Sequence, residues 1–208
     1  MKLGEIKIEA LKLMFADYAD DIDIDSLTDL ASDENYGKYL NNMPGAINRC
    51  FSRLEERNAV PTKKTTLDND NGTSANGRIR FDLSAIADFG KVDRVIYESS
   101  KEYDGNCPFN METNTIMLLP EKDGDYILIY SPILERIQAG SDNESVIDLP
   151  DKIACLIPYF IKGDLYTEDE PGVAAEARNL FEASLDDMTT VVKTKQNKVN
   201  CIFSQTED

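Results

Sequence analysis

Between Arg78 and Pro132 four strand-like runs follow one another at short spacing: RIRFDL, KVDRVIYES, NTIMLLP and GDYILIYSP. A parallel crossover needs a connection of about a dozen or more residues, so strands packed this tightly along a chain pair antiparallel. In RIRFDL, Ile79, Phe81 and Leu83 alternate with polar residues and share one face. The run ending at Pro132 is apolar on both faces, with Ile127 and Ile129 on one and Tyr126, Leu128 and Tyr130 on the other. Such a strand is either sandwiched inside its own module or covered by a neighbouring molecule. The stretch before these runs, PTKKTTLDNDNGTSANG, is turn and strand chemistry, and KEYDGNCPFNMETN reads as a loop.

The flanks have a different period. Leu3, Ile6, Ala10, Leu13 and Met14 recur at helical spacing, which predicts an amphipathic helix from residue 3 to about 17. An acidic connector, ADDIDIDSLTDLASDE, follows. Ser32 suits the cap of a second helix, faced by Tyr36, Tyr39, Leu40 and Met43. Pro44 is expected to end that helix and open a third, whose stripe is Ile47, Cys50, Phe51 and Leu54. Beyond the strands, ILERIQAGSDNESVIDLP reads as a short turn of helix and a loop. LPDKIACLIPYFIKGDLYTEDEPGVAAEARNLFEASLDDM then reads as two helices joined by an acidic turn. Asp148 is placed to cap the first, which Pro158 should kink, and Asp169 or Glu170 the second. Val173, Ala174, Ala177, Leu180, Phe181, Leu185 and Met188 form the stripe of the second.

The predicted class is α+β: a helical bundle of N-terminal helices and a C-terminal helical hairpin, with an inserted small antiparallel sheet or sandwich. The boundaries are 1–60 and 133–190 for the helical core, 61–132 for the β module and 191–208 for a tail. That tail, with Lys193, Lys195 and Lys198, is locally basic and tipped by Cys201, Ile202 and Phe203. Apolar residues near a chain end suggest docking, either onto this subunit's own core or onto another chain.

The chain carries 39 acidic and 22 basic residues, a net charge of −17. A protein that grips nucleic acid through its phosphates needs a basic surface, which this balance argues against. The charge keeps the protein soluble, lets DNA pass without sticking, or imitates DNA. No run reaches the ~18 apolar residues that span a bilayer, and the charged opening segment is unlike a signal peptide, so a protein without membrane contact is expected, made and kept in a cytoplasm unless it leaves inside a larger particle. Cys50, Cys107, Cys155 and Cys201 are far apart and read as reduced thiols, with Cys50 and Cys155 on apolar helix faces.

There is no histidine, which removes the commonest general base and metal ligand. No phosphate-binding glycine loop is present. Asp21, Asp23 and Asp25 have the alternate spacing of a calcium loop, but Ser26 stands where glycine belongs and Ser32 where glutamate belongs. DNDNG at 68–72 fails similarly and reads as a turn. The expectation is a protein with no catalytic residues, no cofactor and no metal.

Three passages, LGEIKIEALKLMF, YLNNMPGAINRCFSRL and the closing hairpin with its acidic turn and FEASL ending, resemble the head–tail adaptor (neck or connector) proteins of tailed bacteriophages. The likeness covers about 70 residues, and the β module departs from the all-helical members. The resemblance implies a non-enzymatic virion protein. It implies a ring, usually of twelve copies, bound beneath the portal protein at the virion neck after synthesis in the host cytoplasm. Its partners would be the portal, neighbouring copies and the next neck or tail protein, while genomic double-stranded DNA passes through without specific binding.

On that reading Lys193, Lys195, Lys198, Ile202 and Phe203 dock on the portal. Tyr126, Leu128 and Tyr130 form a subunit interface. Asp21, Asp23, Asp25, Asp164 and Glu168 face the lumen and repel phosphates within a ~8 Å Debye length. The alternatives are a tail-completion or baseplate assembly subunit and, in another class, an acidic DNA mimic that inhibits host nucleases.

Overall fold

The computed structural model describes residues 1–15, 22–98 and 103–202, the side chains of 98, 103–105 and 189–202 excepted. The chain is a mixed α+β protein with two small antiparallel sheets. It divides into two compact units: residues up to Ala59 with those from Arg136 onward, and Val60–Glu135.

The first unit is helical. Helix α1 (Leu3–Met14) buries Leu3, Ile6, Ile8, Ala10, Leu11 and Met14. Its first-turn N–H groups are satisfied from far along the chain. Leu3 donates to the Ser145 carbonyl at 2.9 Å and Gly4 to the Asn143 carbonyl at 2.8 Å, and the Glu5 carboxylate accepts from the Lys2 N–H at 2.7 Å, so the first donors of the helix are not orphaned. Gly4 permits this approach, since a Cβ there would lie 3.0 Å from Ile24 Cγ1 and 3.1 Å from the Asn143 oxygen. At the other end Lys162 Nζ and the Tyr166 hydroxyl donate to the Leu13 and Met14 carbonyls, both at 2.6 Å. The helix therefore stops at Met14, short of the expected residue 17.

A short helix α2 (Leu27–Leu30) precedes α3 (Gly37–Glu56). The Ser32 cap is not formed. The Asp33 carboxylate instead accepts from the Asn35 and Tyr36 amides, at 2.7 and 3.2 Å, ahead of Gly37. Pro44 does not divide the helix either; α3 runs through it. An interior proline disfavours a helix by about 3 kcal/mol. Burial of Met43, Ala46, Ile47, Cys50, Phe51 and Leu54 along one stripe more than offsets this, at roughly 1.5–3 kcal/mol for each large side chain. Asn58 ends α3 in the left-handed conformation (φ 53°). Asn58 and Ala59 donate back to the Glu55 and Leu54 carbonyls at 3.1 and 2.9 Å, the Schellman arrangement.

The predicted kinked helix is two helices, α4 (Asp151–Ala154) and α5 (Ile157–Leu165). Pro150, not Asp148, stands at the cap of α4, and Pro158 lies in the first turn of α5, where its missing N–H is not needed. The expected helical turn after Pro132 is absent; residues 133–138 are extended or irregular. Helix α6 (Pro171–Ile202) packs on α5, and α5 also contacts α1 and α3. Gly163 brings α5 and α6 together, because a Cβ there would sit 2.6 Å from Arg178 Cγ and 3.1 Å from the Ala174 oxygen. Phe160 and Phe181 meet edge to face at 5.1 Å. Ala174, Ala177, Phe181 and Leu185 are buried; Leu180, expected in that stripe, is 49% exposed.

The second unit is all β. Strands β1 (Lys63–Leu67), β8 (Asp125–Pro132), β4 (Phe89–Glu98) and β5 (Tyr103–Cys107) form one sheet in that order. Strands β2 (Thr73–Ala75), β3 (Arg78–Asp82), β7 (Ile116–Pro120) and β6 (Asn110–Met111) form the other. The segment read as a loop thus holds β5 and β6. β2 and β3 are joined by Asn76-Gly77, both at positive φ (55° and 72°), the two-residue turn whose twist matches a hairpin.

One core joins the two sheets: Ile79, Phe81, Leu83, Met117 and Leu119 from one, with Val92, Val95, Tyr97, Tyr126, Leu128 and Tyr130 from the other. Tyr126 packs against Phe81 at 6.0 Å and Tyr97 at 5.4 Å, and its hydroxyl donates to the Pro120 carbonyl.

Burial pushes the Tyr126 and Tyr166 hydroxyls up from 10.0 to about 12. A folded-state value above the unfolded one adds stability that is complete below pH ~10 and lost as pH climbs toward 12. Urea melts across that window should therefore show a falling midpoint. Tyr126→Phe and Tyr166→Phe should each flatten the fall.

Candidate assembly surfaces

Helix α3 carries Arg49 and Arg53, and its C-cap residue is Arg57, so three arginines follow at intervals of four on one face. Each meets a carboxylate from the hairpin. Arg49 Nε lies 3.1 Å from Asp164 Oδ2 on α5. Arg53 Nε donates to Glu182 Oε1 at 2.7 Å and Arg57 Nη2 to Glu182 Oε2 at 2.8 Å, both on α6. Hydrogen bonds from Arg53 hold the Glu182 carboxyl below its usual range, with Arg57 adding to them.

Near by, the Asn48 amide pairs with the Ile137 backbone in both senses: Nδ2 donates to its carbonyl and Oδ1 accepts from its N–H, each at 2.8 Å. Arg136 Nη2 donates to Glu55 at 2.7 Å. This arrangement locks the returning chain onto α3. Asn48→Ala leaves two backbone groups without partners and should lower stability by about 2 kcal/mol, read from a urea titration. Arg49, Arg53 and Arg136 line an open depression with Gly45, Asn48, Ser52, Glu56 and Phe160. Their carboxylate partners neutralise it, so it offers no net positive site.

The lumen set is not brought together as a group of bare charges. Asp164 is paired with Arg49. Asp23 is bound into a local turn, its Oδ1 accepting from the Ser26 amide at 2.8 Å. Asp25 and Glu168 are exposed, and Asp21 lies outside the described residues. Among the described residues no three Asp, Glu, Cys or His side chains converge on a possible metal position. Asp169, a candidate cap for α6, instead accepts from Lys38 Nζ and the Tyr39 hydroxyl at 3.0 and 2.9 Å.

The interface expected on Tyr126, Leu128 and Tyr130 is corrected. These side chains are 0, 0 and 5% exposed inside the β unit's own core, so nothing outside can reach them. Of the tail residues, Lys193, Lys195, Lys198 and Ile202 continue α6 rather than leaving it, but their side chains lie outside the described residues, as does Phe203.

Cys50 and Cys107 are buried free thiols, whereas Cys155, expected on an apolar face, is exposed and donates to the Lys152 carbonyl at 3.1 Å. Burial pushes the Cys50 thiol up, which removes it as a nucleophile. The described surface does expose large apolar side chains: Val146 (70%), Leu180 (49%), Ile133 (48%) and Met111 (39%). No described helix is long and apolar enough to cross a membrane.

Comparison of the chain with protein-family models and with curated proteins returns no match.

The α3 arginine row was legible in the sequence as an i, i+4 series. Its partners were not, since Asp164 and Glu182 lie more than a hundred residues away and become neighbours only by folding.

Proposed function

We propose that the protein is a non-enzymatic virion subunit, a head–tail adaptor assembled as a ring beneath the portal. In this reading the helical unit is the bundle that forms the adaptor core, and the β unit is a module inserted into it. The ring lines part of the DNA conduit and presents a platform for the next neck or tail protein. The acidic surface, with 39 carboxylate residues against 22 cations, suits a wall along which phosphates slide rather than stick.

One observation carries the reading. Helix α6 has 32 residues, about 48 Å at 1.5 Å per residue. Its described contacts with α5 and with the arginines of α3 and its cap, and its buried side chains, run only as far as Leu185 and Asp186, near its midpoint. The sequence of the remaining length interleaves Val191, Val192, Val199 and Ile202 with Lys193, Lys195 and Lys198. Such a helix suits insertion into another protein.

The decisive experiment mixes the purified protein with its cognate portal and images the product by electron microscopy. A ring of copies on one face of the portal is expected. A chain that stays apart from the portal and blocks a nuclease would instead make it a DNA mimic.

A further inference from the structure

The two faces of β8 differ. Tyr126, Leu128 and Tyr130 fill the core, while Ile127 and Ile129 lie half-buried on the outer face. The register shows what surrounds them. Ile129 stands between Lys64 of β1 and Arg94 of β4, and Ile127 between Thr66 and Ile96. Lys91 pairs with Ser131 one step further along. The register slips between Val92 and Arg94, leaving Asp93 as the extra residue beside Arg94. Three half-buried isoleucines are thus set among three exposed cations, Lys64, Lys91 and Arg94, with Asp93 the carboxylate nearest to them along the chain.

In a chain of net −17 cations are scarce, and most arginines are committed. Arg49, Arg53, Arg57, Arg80 and Arg136 all hold carboxylates. Lys64, Lys91 and Arg94 make no ion pair among the described residues. The helical unit is the opposite surface: residues 1–59 and 136–208 hold 26 Asp and Glu against 14 Lys and Arg. Glu168, Glu170, Glu176 and Asp187 are exposed and unpaired there, among the described residues.

We infer that the outer face of the β1–β8–β4–β5 sheet docks the acidic helical surface of a second copy of this chain, with Lys64, Lys91 and Arg94 meeting its carboxylates around an isoleucine centre. The contact is heterologous, one patch against a different patch, which is the kind that propagates into a ring. A small apolar centre ringed by complementary charge is also how specific interfaces set register. The inference rests on the ring reading above and specifies its side-to-side contact.

The test is zero-length carbodiimide crosslinking of the full chain, as an equal mixture of 15N-labelled and unlabelled protein, with links mapped by mass spectrometry. Mixed-isotope links from Lys64 or Lys91 to carboxylates of the helical unit are expected. The exposed variant Arg94→Glu, which leaves both reporting lysines in place, should keep the circular dichroism spectrum and melting temperature of the parent. It should lose at least about tenfold in crosslinked yield, the equivalent of one lost charge pair of ~1.4 kcal/mol.

Absence of mixed-isotope links at Lys64 and Lys91, or an undiminished yield in the variant, overturns the inference. So does tight binding of a short duplex DNA probe that the variant abolishes, since the face would then serve phosphates. The two proposals fail separately. Lys64 links in a protein that ignores the portal keep the interface and sink the adaptor. A portal-bound ring without those links does the reverse.

Discussion

Replacing Tyr126 by alanine is expected to lower the unfolding free energy by about 3–5 kcal/mol, the range for emptying a large aromatic from a packed core. The ring is fully buried between Phe81 and Tyr97, so its removal leaves a cavity bounded by both sheets. It also leaves the Pro120 carbonyl without the hydroxyl that now donates to it, which adds to the loss. A urea titration of the isolated chain measures this directly. The competing outcome is specific: a residue that served only a contact between subunits would leave the monomer's midpoint unchanged and weaken assembly alone. Leu128→Ala, at an equally buried position, should behave like Tyr126→Ala on a smaller scale, about 2–5 kcal/mol.

Removal of residues 191–208 should abolish binding to the portal while leaving the fold in place. Every buried core side chain among the described residues lies at or before Leu185. The deletion therefore takes none of them, and the melting temperature should hold. Losing the apolar and lysine side chains that the adaptor reading places at the portal should take affinity below detection in a pull-down or by sedimentation. Full portal binding by the shortened chain would refute the role of the tail. A collapse of the melting temperature would show instead that the end of α6 packs on its own subunit.

Patterns of period two and 3.6 were legible because they depend only on neighbours along the chain. The alternation of Ile79, Phe81 and Leu83 identifies a buried face, and Leu3, Ile6, Ala10 and Met14 are buried as their repeat required, whereas Leu13 of the same repeat is half-buried and Leu11 is in the core instead. The short spacing of the strands required antiparallel pairing for the same local reason. Asn76-Gly77, the turn between β2 and β3, is a hairpin signal of the same local kind.

Where the reading departed from the structure, a distant partner decided the outcome. Pro44 marks a helix end by its own chemistry, yet α3 continues through it because the stripe from Met43 to Leu54 is worth more buried than one missing hydrogen bond. Pro158 does divide its helix, because the second piece can start there. The assembly surface shows the same limit. Both faces of β8 are apolar, and the sequence could not say which one turns inward. The second sheet chose the tyrosine face, since the large rings fill the space between the sheets and their hydroxyls find carbonyl and carboxylate acceptors. The isoleucine face was left outward beside Lys64 and Arg94.

By itself, then, the sequence determined the order of helical and β segments, the antiparallel pairing and the acidic balance. These follow from local stereochemistry and from counting charges. Only the tertiary structure decided which apolar face is core and which remains available, and which carboxylates are spent on arginines. Burial and ion pairing are settled by groups far apart in the chain that folding brings within a few ångströms.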